Sequence, residues 1–208
     1  MSTKFSKPVY CILKPIVCIA LWPFCRTKYT NKNNVPSQGR YIYAPNHVSF
    51  ADAILVTLGQ RRFIRFMAKA ELFEKPLSRW FFTKIGAFPV DRSANDGSAI
   101  KTAMDIIDSG DAVGIFIEGT RSKTGELLRP RSGAVMIAHQ MNCKIIPVSI
   151  TYRSKKNSLF SKRYVSFGDP VSTEELGVVT GSPREFRDAS RALMDKIRVM
   201  WERDKYGN

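Results

Sequence analysis

His47 and Asp52, five residues apart, are the pair in this sequence best suited to moving a proton. An imidazole whose one ring nitrogen is held by a carboxylate keeps the other free to take a proton from a hydroxyl. On a regular helix, residues five apart lie about 140° around the axis and share no face. The two side chains therefore meet only if His47 precedes a helix and Asp52 sits in its first turn. The run Asn46–Asp52, N-H-V-S-F-A-D, allows that boundary, with Ser49 as N-cap and a serine-to-aspartate spacing that suits a capping box. The same spacing admits a plainer role, in which Asp52 caps a helix and His47 packs. No G-x-S-x-G turn occurs, Ser49 is explained as a cap and Cys143 as core, so no covalent nucleophile is indicated. Direct transfer to an alcohol or amine acceptor is the chemistry that remains.

Basic residues that follow apolar runs form a second theme. The run Ala112–Ile117 leads into Glu118, Gly119, Thr120 and Arg121. Gly119 permits a tight turn and close backbone approach to a ligand. Arg121 can grip a phosphate with two parallel hydrogen bonds, and Glu118 can orient an arginine or bind a polar head. A structural Glu–Arg pair on a turn is the alternative. The stretch Gly86–Arg92, G-A-F-P-V-D-R, leaves another strand-like run with an arginine, and Lys69 follows a third. Each cation alone reads as surface charge; three behind strand ends point to one anion-binding region. His139, late in a helical stretch, reads as a surface residue favoured near a helix C-terminus.

The elements that must position these residues alternate along the chain. Strand-like runs are Tyr41–Ala44, Phe63–Ala68, Phe88–Val90, Ala112–Ile117, Lys144–Tyr152 and Tyr164–Phe167. Helical patterns cover Ala51–Leu58, Pro76–Ile85, Gly97–Ser109, Ser132–Met141 and Pro183–Lys205. This alternation predicts an α/β domain with a largely parallel central sheet flanked by helices, over residues 31–208. Ligands bind beyond the carboxyl ends of strands in such sheets, where His47, Lys69, Arg92 and Arg121 fall.

Residues 1–30 are of another kind. Pro8–Phe24 is the most apolar stretch, broken by Lys14 and Pro15, with Lys4, Lys7, Arg26 and Lys28 around it and Tyr10 and Trp22 near its ends. It is too short and interrupted for the roughly 20 apolar residues of a spanning helix. Basic and aromatic flanks suit a helical segment associating with a membrane surface. A core helix and a signal segment are the rivals, though no small-residue cleavage site follows. The polar run Asn31–Gly39 reads as a linker.

The composition fits one folded domain: 208 residues, 44% hydrophobic and 25% charged. Thirty-three Lys and Arg against 18 Asp and Glu give a formal charge of +15, which favours an anionic partner. Nucleic acid is the less suited one, because the aromatics fall largely within apolar runs such as Trp80–Phe82. Cys11, Cys18, Cys25 and Cys143 form no C-x-x-C pair and have no histidine cluster beside them, so neither a metal site nor a redox dithiol is predicted.

Taken in order, four blocks resemble those of the glycerolipid acyltransferase family, whose best-known member makes phosphatidic acid from 1-acyl-glycerol-3-phosphate. They are Asn46–Asp52, Gly86–Arg92, Phe116–Ser122 (F-I-E-G-T-R-S) and Ile146–Ile150 (I-P-V-S-I), followed by a familiar Phe167–Val171 (F-G-D-P-V). Ile117 departs from the family pattern, which commonly has proline there. The resemblance implies that His47 is a general base oriented by Asp52. It implies that Gly86 and Arg92 shape and charge the acceptor site, that the loop Glu118, Gly119, Thr120 and Arg121 binds the acceptor phosphate and head, and that Pro147 shapes the acyl-binding region. It further implies acyl transfer from acyl-CoA or acyl-carrier protein to a lysophosphatidic-acid-like acceptor, with no cofactor. Another acceptor, such as glycerol-3-phosphate, a different lysophospholipid or a glycolipid or aminolipid head, would use the same chemistry. A non-catalytic membrane adaptor is the reading from a different class. The expected setting is the cytoplasmic face of an anionic membrane, as a peripheral or monotopic protein.

Overall fold

A computed structural model describes residues 27–90, 97–153 and 162–207. The apolar N-terminal stretch, Cys11, Cys18, Cys25 and Arg92 lie outside the described residues.

Seven strands build one sheet in the order β1-β7-β6-β2-β5-β3-β4. They are β1 (Thr27–Thr30), β2 (Tyr41–Pro45), β3 (Ile64–Lys69), β4 (Phe88–Val90), β5 (Ala112–Gly114), β6 (Lys144–Tyr152) and β7 (Arg163–Phe167). All neighbours pair in parallel except β6 and β7. Among the described residues there are five α-helices: α1 (Asp52–Leu58), α2 (Pro76–Lys84), α3 (Ser98–Asp108), α4 (Gly133–Gln140) and α5 (Pro183–Tyr206). Helices α1, α3, α4 and α5 bury apolar residues with those of the strands, whereas α2 packs on the turn Ala70–Phe73. The expected α/β architecture is therefore present. The one strand not expected from the sequence is β1, which runs parallel to β7 at the sheet edge.

The strand sequences explain why both faces are covered. Ile42 and Ala44 enter one apolar cluster, with residues of α3, α4 and α5, while Tyr43 between them enters another, with Leu55 and Val56 of α1. Ile145 and Ile146 divide the same way. Successive side chains of a strand point to opposite faces, so a run apolar at every position must be buried on both. Helix α5 carries its signals in sequence: Ser182 and Glu185 form a reciprocal capping box, Pro183 occupies the first turn and Gly207 ends the helix at φ 79°.

Because β2, β3, β4, β5 and β6 run the same way, their carboxyl ends emerge at one edge. His47, Lys69, Phe116 and Tyr152 follow or end those strands there. Among the described residues no helix is long and apolar enough to cross a membrane.

Candidate active site

Strand β2 ends at Pro45, and the next residue anchors the loop. The buried Asn46 donates through Nδ2 to Ile150 O (2.9 Å) and accepts at Oδ1 from Ile150 N (2.7 Å). Its amide thus acts on β6 as a further strand residue would. His47 leaves this anchor with its path set by three further contacts. Its N–H donates to Glu118 Oε2 (3.0 Å), its carbonyl accepts from Ser122 N (2.8 Å), and its ring stacks on Phe116 at a centroid distance of 3.7 Å and an angle of 15°.

Asp52 opens α1 and lies fully buried. Its Oδ2 meets His47 Nδ1 at 2.9 Å and accepts from Val48 N (2.6 Å) and Ser49 N (2.7 Å). Its Oδ1 accepts from the Tyr152 hydroxyl at 2.8 Å. The expected meeting of His47 and Asp52 is present, and the aspartate also ties the turn. The capping assignment changes: the N-cap is Ala51, with no side-chain cap. Asp52 already takes the Ser49 N–H, and the Ser49 hydroxyl accepts from Ala51 N at 3.3 Å rather than from a helix N–H further on. With Nδ1 committed to a buried carboxylate, Nε2 is the ring nitrogen left for a substrate.

Burial, and then the charge of Asp52 and its hydrogen bond, raise the Tyr152 phenol far above its ordinary value, so it stays a donor. The Glu118 carboxyl is also raised by burial, against the pull of the backbone N–H groups of Leu128 and His47. Its two oxygens accept from those two groups, at 2.9 Å and 3.0 Å. Glu118 is therefore a brace between two loops, not a group held out to ligand.

An apolar cavity of about 490 Å³ opens beside His47. Ala53, Ile54 and Leu58 of α1, Phe66 and Met67 of β3, Phe81 and Phe82 of α2, and Ile85 line it, with Phe116, Thr120 and Arg121 near the histidine. Lys69 lines it too, its ammonium paired with Glu71 at 2.5 Å. Arg121 lays its guanidinium over the exposed Phe50 ring at 3.6 Å. Lys69 and Arg121 thus converge as their strand-end positions predicted. Gly86 follows α2 with φ 86°, where a Cβ would stand 2.1 Å from Phe63 Cζ, so it serves chain path and close packing. Gly119 turns the loop at φ 69°. Pro147 is buried in β6, in register with Ala44, and does not line the cavity. His139 packs against Phe186 and Thr173, away from this edge.

Asn46, Phe116 and Tyr152 are site residues that the sequence alone does not single out. Their only signal is position: beside the histidine, within the third block, and at the carboxyl end of a strand.

Residues 26–151 match the family model described as Acyltransferase. The chain is 37% identical to the 1-acyl-sn-glycerol-3-phosphate acyltransferase of Bacillus subtilis, over 83% of this chain and 87% of that one. It is 28% identical to the enzyme of that name from Streptococcus pneumoniae, over 96% and 78%. The crystal structure of the 1-acyl-sn-glycerophosphate acyltransferase of Thermotoga maritima superposes with a TM-score of 0.71 at 24% identity, covering 92% of this chain and 79% of that one. That likeness is one of fold.

Proposed function

The chain belongs to the acyltransferase family that its residues 26–151 match, and from that premise we propose that it transfers a fatty acyl group from a thioester donor to the free hydroxyl of 1-acyl-sn-glycerol-3-phosphate, giving phosphatidic acid. The names of its relatives support the acceptor. The observation that carries the reading is the His47–Asp52 pair set against an apolar cavity with Arg121 beside it.

Nε2 of His47 removes the hydroxyl proton as the oxygen attacks the thioester carbonyl. The tetrahedral species then collapses, the carbon–sulfur bond breaks, and the imidazolium returns the proton to the leaving thiolate. Asp52 holds the tautomer and offsets the imidazolium charge, and Tyr152 and two backbone N–H groups hold Asp52. The cavity takes an acyl chain, and Arg121 takes the acceptor phosphate with geometry an ammonium lacks. The donor is acyl-CoA or acyl-carrier protein. The protein works at the cytoplasmic face of an anionic membrane, peripheral or monotopic, with residues 1–30 adding affinity for it.

The test is to offer the purified protein a set of lysolipids with acyl-CoA and, separately, acyl-carrier protein, and to read products by mass. Phosphatidic acid from lysophosphatidic acid, with little product from its dephosphorylated analogue, is expected. Equal rates on both would remove the phosphate-specific acceptor.

A further inference from the structure

Helix α2 buries no residue, yet it is among the most apolar surface segments of the molecule. Leu77 is 79% exposed, Trp80 47% and Phe81 42%. Spaced i, i+3 and i+4, these three form one stripe along the helix. The other side of α2 faces inward: Phe82 lies 5.8 Å from Phe73, and Arg79 Nε donates to Phe73 O at 2.8 Å. Phe81, Phe82 and the following Ile85 also line the cavity. The exposed stripe is thus continuous with the apolar lining that leads to His47. Phe50, 69% exposed, lines the same cavity from the loop before α1, beneath the Arg121 guanidinium.

Charge accompanies the apolar stripe. Lys75 is the N-cap of α2 and Lys84 lies in its last turn. Large exposed apolar side chains, a tryptophan among them, flanked by lysines, form the composition that rests at a lipid headgroup boundary. Cations there favour an anionic surface. A second copy of the chain suits the stripe less well. Nine residues of helix span only about 13 Å, and a stable pair buries roughly 800 Å² on each partner.

We propose that the outer face of α2, with Phe50, is the surface that docks on an anionic bilayer and sets the cavity mouth against the lipid. Substrate chains then enter from the membrane without crossing water. This rests on the reading of the cavity as an acyl site, but the quenching and vesicle-binding arms of its test do not.

The experiment uses the full chain and vesicles of brominated phosphatidylglycerol. Emission from Trp80 is read as the difference between wild type and Trp80→Phe, since Trp22 and Trp201 are common to both. Brominated phosphatidylglycerol should quench that difference, and brominated phosphatidylcholine should quench it far less. Leu77→Ser with Trp80→Ser should lower the vesicle partition constant by at least about tenfold, the scale expected on losing even one large buried apolar side chain. Acylation of an acceptor dispersed below its micellar concentration should stay unchanged, because neither residue lines the cavity. The charge-reversed variant, Lys75→Glu with Lys84→Glu, should weaken binding to phosphatidylglycerol alone. Should Trp80 emission be untouched by brominated lipid, the proposal is overturned, whether binding is absent or resides in residues 1–26. It is also overturned if the serine pair abolishes self-association of the protein and leaves vesicle binding intact. A quenched Trp80 in a protein that acylates no lysolipid would keep the docking surface and remove the proposed function.

Discussion

The Tyr152 hydroxyl donates to Asp52 Oδ1 at 2.8 Å from one hundred residues further along the chain. With it, both oxygens of a fully buried carboxylate are engaged, which is what makes such a charge tolerable inside a protein. Tyr152→Phe removes one charge-assisted hydrogen bond and little volume. It should lower kcat about tenfold and leave both KM values near wild type. Steady-state kinetics beside a thermal melt decide the matter. A drop in melting temperature with kcat intact would make Tyr152 a packing residue only.

His47→Ala and Asp52→Asn should differ in kind. Loss of the general base costs about 10²–10⁴-fold in turnover with a small effect on folding. Asp52→Asn should cut turnover comparably and also lower the melting temperature, because Oδ2 gathers Val48 N, Ser49 N and His47 Nδ1 on one atom. Wild-type kcat in either variant would exclude the proton-transfer role.

Glu118→Gln tests the brace through pH. The folded carboxyl is raised by burial above its ordinary 4.5, so the folded state holds that proton more tightly than the unfolded chain does. The stabilisation is complete below about 4.5 and is lost as pH rises through the raised folded value. A glutamine at this position does not titrate. Its amide nitrogen cannot accept either, so one backbone N–H loses its partner at a cost of about 1–3 kcal/mol. The variant should melt lower than wild type, with a gap that narrows as pH rises. A gap that widens would show that the ionised carboxylate is the stabilising form.

Arg121→Lys should raise KM for a phosphate-bearing acceptor by about one to two powers of ten and spare the donor. An ammonium cannot reproduce the guanidinium's two-point grip or its stack on Phe50. Equal effects on a phosphorylated acceptor and its dephosphorylated analogue would mean that Arg121 does not read the phosphate.

Much of this is legible in the residues. The apolar runs locate six of the seven strands, five of them to within a residue at either end, while β5 stops at Gly114. Strand β1 escapes because four residues, T-K-Y-T, are too few for a pattern, and their partner β7 lies near the other end of the chain. The His47–Asp52 pair is readable because a helix start brings local residues together. Its support from Tyr152 is not, since no local period encodes a contact at that separation. The Ser49 hydroxyl suits a cap by its type, whereas the Asp52 carboxylate is the stronger acceptor and takes the orphan N–H groups first. Glu118 has the residue type of a ligand-facing group; its burial, which only the packed fold reveals, turns both oxygens onto backbone.

The Glu118 brace also limits how the molecule can be re-engineered. One carboxylate fastens the backbone at His47 and at Leu128, so the two segments cannot be exchanged as separate modules. Transplanting a foreign loop between those anchor points without an acceptor in register would unseat the imidazole while leaving His47 and Asp52 unaltered. Insertions and deletions there are correspondingly restricted. On the proposed reading, headgroup preference is best redesigned by changing the side chains at Thr120 and Arg121, which line the cavity, on a loop whose course is kept.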